Sequence, residues 1–302
     1  MALRSGFVSI IGRPNAGKST LLNALVGQKV AIVTHKPQTT RNRIQGIVNV
    51  PARKGRPAGQ VVFLDTPGVH KPQSSLNKKM MREVHDALEG RDLLLLITDV
   101  TEKFGGGDEF VLDLVKRAGG PAFLLLNKID RVGKERLLPL IEGYSRKHEF
   151  QEIIPISALK RDGLDLLLDK VIHALPEGPR YFPQDQVTDQ PERFLAAEII
   201  REKVLIATGQ EVPYASTVQV EHWEESPKLT KISAVLYCER DGQKKILIGK
   251  GGEMMKRIGT SARLEIEKLL GTKVFLEMFV KVEPNWRESR EFVEGLDWRH
   301  ES

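Results

Sequence analysis

Short apolar runs alternate with segments of helical composition through the first half of the chain. An apolar run between polar turns is typical of a buried strand, and helical segments between such runs indicate crossover connections. This alternation predicts an α/β fold in which a mostly parallel sheet carries helices on both faces. The candidate strands cover residues 7–11, 44–50, 61–64, 92–97, 122–126 and 152–156, and the first candidate helix covers residues 19–26.

A different order of elements follows residue 191. Apolar residues recur there at helical spacing, then two strand-like runs precede two helical segments, and the last run alternates apolar and polar positions. The predicted order is α-β-β-α-α-β. Its candidate elements are a helix over residues 196–207, strands over 214–220 and 229–238, a short helix around 243–248, a longer helix with an apolar face (Met254, Ile258, Ala262, Ile266, Leu269) and a strand over 274–282.

A proline-rich polar stretch separates these two patterns. The chain has 302 residues, which is long enough for two domains with cores of their own. Four prolines, at positions 176, 179, 183 and 191, lie amid polar residues, as in an exposed connector. We therefore expect a first domain over residues 1–178, a linker over 179–191 and a second domain over 192–302 that ends in a helix or tail.

The charge balance is mildly basic and unevenly distributed. Lys and Arg number 46 against 40 Asp and Glu. The excess lies in the first 180 residues, which hold 28 basic and 19 acidic side chains and so carry a net charge of +9, whereas the remainder carries −3. Such a bias permits a polyanionic partner but does not identify one.

Two features predict the compartment. The one cysteine, Cys238, excludes an internal disulfide and fits a reducing environment. The first predicted strand begins near Gly6, which leaves no room for a signal peptide, and the longest aliphatic run, residues 93–97, is too short to span a bilayer. We expect a cytoplasmic protein.

A glycine-rich loop between the first strand and the first helix has the composition of a phosphate-binding loop. Its backbone N–H groups would cradle phosphates, Lys18 would reach the β and γ phosphates, and the Ser19 hydroxyl would bind Mg²⁺. The strand-to-helix position is the one that this mechanism requires. The candidate residues are Gly12, Arg13, Pro14, Asn15, Ala16, Gly17, Lys18, Ser19 and Thr20.

A second candidate element, Asp65, Thr66, Pro67 and Gly68, follows the third strand directly. The Asp65 carboxylate would emerge at a strand end, where it can hold Mg²⁺ through water. Gly68 has no side chain and can bring its N–H against the γ phosphate. Taken alone, an aspartate before a Pro-Gly pair is as consistent with an ordinary turn, and its order after the phosphate loop favours the functional interpretation.

A third element, Asn127, Lys128 and Asp130, follows the fifth strand and predicts guanine recognition. The Asp130 carboxylate can accept hydrogen bonds from N1 and N2 of guanine. Adenine lacks both donors and would leave the carboxylate unpaired, at a cost of about 1–3 kcal/mol or more. The pair Ser157 and Ala158, after the sixth strand, would place a backbone donor near guanine O6, although such a dipeptide is also common by chance.

The loop over residues 36–41 lies between the first helix and the second strand and contains two threonines. A threonine there could close on Mg²⁺ and the γ phosphate and release after hydrolysis. We assign this role to Thr40, with Thr39 as the competing candidate, and a solvated turn is the alternative without the surrounding motifs. The candidate metal ligands are Ser19, Thr40 and Asp65.

A second glycine loop joins the two helices of the C-terminal half. Its glycines would let the main chain approach phosphates, and the helix that begins near Glu253 would add N–H donors. Between residues 244 and 263 there are six basic side chains and one acidic side chain. An ordinary break between helices is the alternative. The candidate RNA-binding residues are Ile248, Gly249, Lys250, Gly251, Gly252, Lys244, Lys245, Lys256 and Arg257.

This set of motifs, in this order, resembles the Era family of bacterial ribosome-assembly GTPases, and the second half resembles a KH domain, whose glycine loop clamps about four nucleotides. The resemblance covers nearly the whole chain. It implies a P-loop GTPase domain followed by an α+β type II KH domain, with GTP or GDP and Mg²⁺ as ligands. The implied activity is hydrolysis of GTP to GDP and phosphate, for which the candidate catalytic residues are Lys18, Thr40, Gly68 and Asn15.

The resemblance also bears on rate and partners. Val69 stands where signalling GTPases carry a water-orienting glutamine, so slow intrinsic hydrolysis is expected. In some GTPases with a similar loop, the residue matching Asn15 helps to bind K⁺. The equally weighted alternative is that Asn15 has no such role and only tolerates the backbone conformation of a tight turn. The implied partners are small-subunit ribosomal RNA near its 3′ end and the small ribosomal subunit, whose maturation the protein would assist. We further expect a monomer, with peripheral association with the inner face of the cell membrane as in some members.

Two rival functions remain at this stage. One is a signalling-type GTPase whose second domain binds protein, and the other is a passive RNA-binding protein with a vestigial nucleotide pocket. A test of RNA binding distinguishes the first rival from the proposed function, and an assay of multiple-turnover GTP hydrolysis distinguishes the second.

Overall fold

The computed structural model describes residues 2–69, 74–209 and 211–300. These residues form two compact units. Among the described residues, the first unit takes those up to Ala31, from Thr40 to Val69 and from Met80 to Asp189, and the second takes those from Ile32 to Thr39, from Ser74 to Lys79 and from Gln190 onward.

The first unit is built on a six-stranded sheet in the order β2-β3-β1-β4-β5-β6. β2 runs antiparallel to β3, and the other neighbouring pairs are parallel. The α/β prediction is confirmed. The strands are β1 (Arg4–Ile11), β2 (Ile44–Val50), β3 (Gly59–Asp65), β4 (Leu93–Asp99), β5 (Ala122–Asn127) and β6 (Glu152–Ile156). The helices along this part of the chain are α1 (Lys18–Val26), α2 (Ser75–Leu88), α3 (Gly106–Ala118), α4 (Leu137–Ser145) and α5 (Leu164–Ala174).

The core of the first unit explains the continuous apolar runs of its central strands. β3 and β5 are buried along their whole length, as expected for strands covered on both faces. Polar residues therefore appear where these strands end, and the carboxyl ends of parallel strands meet at one edge of a sheet. The sheet thus brings Asp65 and Asn127 to the edge that also carries the loop after β1.

The second unit contains a three-stranded sheet in the order β7-β8-β9. β7 and β8 are antiparallel, with an irregularity between Val220 and His222, and β8 and β9 are parallel. Helices pack on one face around a common core. The elements are α6 (Glu192–Ala207), α7 (Val212–Ala215), β7 (Thr217–Ser226), β8 (Leu229–Cys238), α8 (Asp241–Ile248), α9 (Glu253–Leu270), β9 (Lys273–Val282) and α10 (Arg290–Gly295).

Two details of the second unit depart from the sequence prediction. Tyr214 does not begin a strand, because it lies in the short helix α7, in which Pro213 occupies an early position that suits its fixed φ. On α9, Ile258, Ala262 and Ile266 are buried as predicted, whereas Leu269 is 36% exposed near the end of the helix. The alternation along β9 is confirmed, since Val274 and every second residue after it face inward.

Candidate functional site

The loop between β1 and α1 presents a helix N-terminus without a side-chain cap. Gly17, the N-cap residue of α1, adopts φ 102°, which favours glycine, and it has no side chain with which to cap the first turn. A Cβ atom on Gly17 would lie 2.3 Å from Nδ2 of Asn127, so a larger residue would displace that amide. The uncapped N–H groups and the helix dipole make this end of α1 suited to an anion.

Lys18 is the first residue of α1, and its side chain is buried against this loop. Its Nζ donates to the carbonyl oxygens of Gly12 at 3.1 Å and Arg13 at 3.0 Å. Burial lowers the pKa of Lys18 to about 8, and the nearby Asp65 carboxylate opposes that shift. Because this ammonium group is desolvated, a phosphate group bound beside it would stabilise its charged form.

Three oxygen-bearing side chains predicted to bind a metal converge beside Lys18. The Ser19 hydroxyl donates to Oδ2 of Asp65 at 2.6 Å and lies 2.8 Å from the Thr40 hydroxyl. Within the described residues, Oδ1 of Asp65 is buried and has no hydrogen-bond partner. Burial raises the pKa of Asp65 to about 6, with Lys18 and the Ser19 hydrogen bond opposing the shift. An orphaned carboxylate oxygen beside two hydroxyls fits Mg²⁺, which prefers oxygen ligands.

The competing threonine of this loop is engaged elsewhere. The Thr39 hydroxyl lies 2.6 Å from the Thr34 hydroxyl and donates to the Lys36 carbonyl at 2.7 Å. Of the two candidates, Thr40 is the one whose hydroxyl reaches the Ser19 side chain. This geometry favours Thr40 over Thr39 as the metal ligand, which stays a prediction.

The Asp65 to Gly68 element lies against the phosphate loop. Thr66 donates to the carbonyl of Ile10 at 2.8 Å, and the N–H of Val69 donates to the carbonyl of Gly12 at 3.2 Å. A Cβ atom on Gly68 would come within 2.8 Å of Cα of Pro14. Only glycine therefore permits this close approach of the two loops. Pro67 and Val69 are buried, and Val69 has no polar group with which to orient a water molecule.

Asn127 and Lys128 connect the candidate base site to the phosphate loop. Asn127 donates to the carbonyl of Ala16 at 2.8 Å and accepts from the N–H of Ala158 at 3.0 Å. Lys128 donates to the carbonyl of Asn15 at 2.8 Å. These contacts join three segments that are far apart in the sequence into one site.

The candidate base-reading carboxylate is oriented by a serine. Ser157 donates to Oδ1 of Asp130 at 2.6 Å, while Asp130 itself is exposed. Ser157 and Ala158 are buried after β6. Thr20 lies half-buried in the first turn of α1. The structure thus brings together the candidate nucleotide residues of the first unit, and their individual roles stay predictions.

Sequence reasoning missed two acidic residues that support this site. Asp99, at the end of β4 in register with Asn127, forms an ion pair with Lys128, and its pKa is lowered despite burial because Lys128 and Thr101 donate to it. A carboxylate directly after an apolar strand was the available signal. Asp108, in the first turn of α3, forms an ion pair with Arg13 at 2.9 Å. No local pattern links Arg13 and Asp108.

The second glycine loop lies between α8 and α9 and has a backbone that other residues rarely adopt. Gly249, Gly251 and Gly252 have φ angles of 77°, 59° and 84°. A Cβ atom on Gly251 or Gly252 would meet no neighbouring atom, so the loop surface is open there. Gly252 precedes α9 without a side-chain cap, which leaves the N–H groups of its first turn available.

Basic side chains surround this loop. Lys245, Lys250 and Lys256 are exposed and Lys244 is half-buried, and within the described ranges none of the four forms an ion pair. Arg257 is exposed and donates to the carbonyl of Ala207 at 3.2 Å. Ile248 is half-buried at the end of α8. Such cations beside an open glycine loop suit a phosphate backbone, and their assignment to RNA stays a prediction.

Among the described residues, no helix is long and apolar enough to cross a membrane. In residues 2–69, 74–209 and 211–300, no group of three or more His, Cys, Asp or Glu side chains has a metal-binding arrangement.

A phosphate loop followed by metal and base elements at the carboxyl edge of a parallel sheet defines a P-loop GTPase domain, and it is followed by a sheet and helices of the KH type. Two family models match accordingly. A 50S ribosome-binding GTPase model matches residues 7–128, and a KH domain model matches residues 211–287.

Similar proteins match along the whole chain. GTPase Era of Geobacter metallireducens is 50% identical over 98% of this chain and 98% of its own length. GTPase Era of Staphylococcus haemolyticus is 46% identical over 98% of this chain and 97% of its own length. The chain therefore belongs to the Era family of GTPases.

Solved structures of this family have the same fold. A single-residue variant of Aquifex aeolicus Era bound to GDP·AlF₄⁻ is 41% identical, with a TM-score of 0.92 over 97% of this chain and 98% of the other. Era in complex with MgGDPNP and nucleotides 1506–1542 of 16S ribosomal RNA is 41% identical, with a TM-score of 0.93 over the same shares.

Proposed function

We propose that this chain binds GTP with Mg²⁺, hydrolyses it to GDP and phosphate, and binds small-subunit ribosomal RNA near its 3′ end during maturation of the small ribosomal subunit. The observation that carries this proposal is that one chain contains two loops suited to binding phosphate groups. One is the loop at Lys18 with its converging oxygens, and the other is the open glycine loop before α9. The relative solved with MgGDPNP and 16S ribosomal RNA supports the same pairing.

The candidate nucleotide-binding residues have different proposed roles, which follow from where each lies in the site. Lys18 and the N–H groups at the start of α1 would hold the outer phosphates, and Ser19, Thr40 and Asp65 would hold Mg²⁺. When bound, Mg²⁺ neutralises charge on the phosphate oxygens during transfer. Gly68 allows its own N–H to approach the γ phosphate. Because Val69 is apolar and buried, no side chain at that position orients the attacking water, and slow intrinsic turnover follows.

Asn15 provides a test for a monovalent cation. Its side chain is exposed, and its φ angle of 62° is unusual for a residue other than glycine. If Asn15 binds K⁺, turnover in K⁺ should exceed turnover in Na⁺ by about tenfold or more, because a cation would stabilise the developing charge. Asn15→Ala should abolish the difference. Equal turnover of the unmodified protein in the two salts would contradict the role and leave the tight turn as the explanation.

Asp130 provides a test of base recognition. Asp130→Asn replaces an acceptor by an amide that can donate to the C2 oxygen of xanthine, so GDP affinity should fall about 100-fold while XDP affinity rises. Competition against a fluorescent nucleotide measures both affinities. Since Asp130 is exposed, folding should be unaffected.

Ser157→Ala is the matched control for base recognition, because it removes the hydrogen bond that orients Asp130 but keeps the carboxylate. This variant should weaken GDP binding without favouring XDP. Retained preference for GDP in Asp130→Asn would contradict the assignment.

The RNA-binding part of the proposal rests on the glycine loop and its four lysines. If nucleotide state alters RNA binding, thermodynamic linkage requires RNA to alter nucleotide affinity by the same factor. The direct test measures binding of a single-stranded fragment from the 3′ end of small-subunit ribosomal RNA and multiple-turnover GTP hydrolysis by the same preparation. Absence of either would overturn the proposal. A signalling-type GTPase with a protein-binding second domain is not favoured, since the second unit is a KH domain.

Location and assembly complete the proposal. A cytoplasmic protein suits a ribosomal partner. Monomeric state and peripheral association with the inner face of the cell membrane stay predictions, which sedimentation and membrane fractionation would check.

A further inference from the structure

The side chain of Arg13 joins the phosphate loop to the start of α3, within the first unit. Its Nη1 donates to Oδ2 of Asp108, in the first turn of α3, at 2.9 Å. The same carboxylate oxygen accepts from the N–H of Gly105, the N-cap residue of α3, at 3.0 Å. Because Asp108 is buried and caps its own helix, Arg13 meets an acceptor whose position is fixed.

Gly107 provides the space through which the Arg13 side chain reaches α3. A Cβ atom on Gly107 would lie 2.9 Å from Nε of Arg13 and 3.3 Å from its Cδ, so a methyl group there would displace the guanidinium. A Cβ atom on the neighbouring Gly106 would meet no atom within 4 Å. Neither glycine has a positive φ, so alanine fits the backbone at both positions. The two glycines therefore differ in whether a side chain would disturb Arg13.

The backbone of Arg13 holds the lysine that would reach the phosphates. Its carbonyl oxygen accepts from Nζ of Lys18 at 3.0 Å and from the N–H of Ala16 at 3.3 Å. An anchored side chain leaves Arg13 fewer backbone conformations, so its carbonyl stays directed toward Lys18. This restraint acts on the free loop, and a nucleotide would therefore meet Lys18 already in position.

We propose that Arg13 and Asp108 are positioning residues for nucleotide binding: their ion pair fastens the phosphate loop to α3 and keeps the loop in the conformation that binds phosphates. The inference rests on the proposed function, because it requires this loop to bind the phosphates of GTP and GDP. Preorganisation lowers the cost of binding, whereas a bound nucleotide would itself order the loop. The pair should therefore change nucleotide affinity and leave turnover at saturating GTP unchanged.

The test uses the full chain with Gly107→Ala, which displaces Arg13 without removing a charge or a hydrogen-bonding group. The Kd values of GDP and of a non-hydrolysable GTP analogue should each rise about tenfold, as expected for one lost hydrogen bond to a charged group. KM for GTP should rise by the same factor, and kcat should not change. In nucleotide-free protein, amide exchange over residues 12–19 should become about tenfold faster.

Gly106→Ala is the matched control, because it makes the same substitution one residue earlier, where the new methyl group meets no atom. It should leave affinity, KM and amide exchange as they are in the unmodified protein. Asp108→Asn is an independent second variant. Its amide oxygen can still accept from the N–H of Gly105, so α3 stays capped, but the charge opposite Arg13 is lost. Both Kd values should rise in this variant while kcat stays unchanged.

A double-mutant cycle tests whether Gly107→Ala acts through Arg13. Arg13→Ala alone should raise the Kd of GDP about tenfold. In that background, Gly107→Ala should cause no further loss of affinity, since the side chain that it displaces is already absent. Independent effects would instead multiply to about a hundredfold.

Four results would overturn the inference. These are unchanged Kd values in both Gly107→Ala and Asp108→Asn, a lowered kcat at saturating GTP in either variant, an equal loss of affinity in Gly106→Ala, or multiplied losses in the double variant. If Gly107→Ala unfolds, the Kd and kcat values of Asp108→Asn decide the question. Failure of the proposed function is distinguishable, because the unmodified protein would then bind no GDP and hydrolyse no GTP.

Discussion

Lys18→Ala should weaken guanine nucleotide binding by about a thousandfold. Truncating one member of a buried charge pair costs about 2–5 kcal/mol, and the phosphates would lose the ammonium group placed at the centre of the loop. The two carbonyl acceptors at Gly12 and Arg13 would also lose their donor. Titration with a fluorescent GDP analogue measures the loss.

The pH dependence of nucleotide binding tests whether the positive charge of Lys18 is the reason for the expected loss of affinity. Burial lowers the pKa of Lys18 to about 8 in the free protein, and bound phosphates would raise it. A group whose pKa rises on binding binds a proton together with its ligand, so affinity should fall by up to about tenfold per pH unit above pH 8. In Lys18→Ala this decline should vanish.

Two controls keep the Lys18 prediction specific. Lys29→Ala removes an exposed lysine just beyond α1 and should leave nucleotide affinity unchanged. RNA binding by Lys18→Ala in the absence of nucleotide should match that of the unmodified protein. Tight GDP binding by a folded Lys18→Ala protein would contradict the role assigned to this side chain.

The parts of the fold and site that could be predicted from sequence depend on short-range rules. β2 and β6 have the predicted bounds, because each is a short apolar run between turn residues, even though both lie at the edges of the sheet and are only partly buried. Gly17 and Gly251 were identifiable because a phosphate loop needs a backbone that few other residues adopt. The structure of such elements is determined by residues that lie close together in the sequence.

Other parts depend on neighbours that the sequence does not place. β7 continues through polar residues to Ser226 because β8 pairs with it, and an exposed edge strand needs no apolar alternation. Asp108 and Arg13 form an ion pair across 95 positions, and Arg201 reaches Thr39 across 162. Contacts of this range follow from the folded topology, so no local pattern could have indicated them.

Gly251→Asp should reduce RNA affinity by about 100-fold or more while leaving the protein folded. A Cβ atom at this position would meet no neighbouring atom, and aspartate tolerates the φ of 59° better than most residues. The new carboxylate would stand where the glycine loop lets the main chain approach a phosphate, so repulsion adds to the lost contact. Fluorescence anisotropy with a labelled fragment from the 3′ end of small-subunit ribosomal RNA measures the effect.

Gly251→Asn separates charge from shape, because it has the same size and the same backbone strain without the negative charge. Its loss of RNA affinity should be about tenfold at most, and the difference between the two variants should shrink between about 50 and 200 mM salt as the repulsion is screened.

Lys250→Glu should also weaken RNA binding and should lower its salt dependence, since it removes a phosphate contact. Nucleotide affinity should be unaffected in all three variants when RNA is absent. If Gly251→Asp and Lys250→Glu both bind the fragment as tightly as the unmodified protein, then the glycine loop is not where this chain holds RNA.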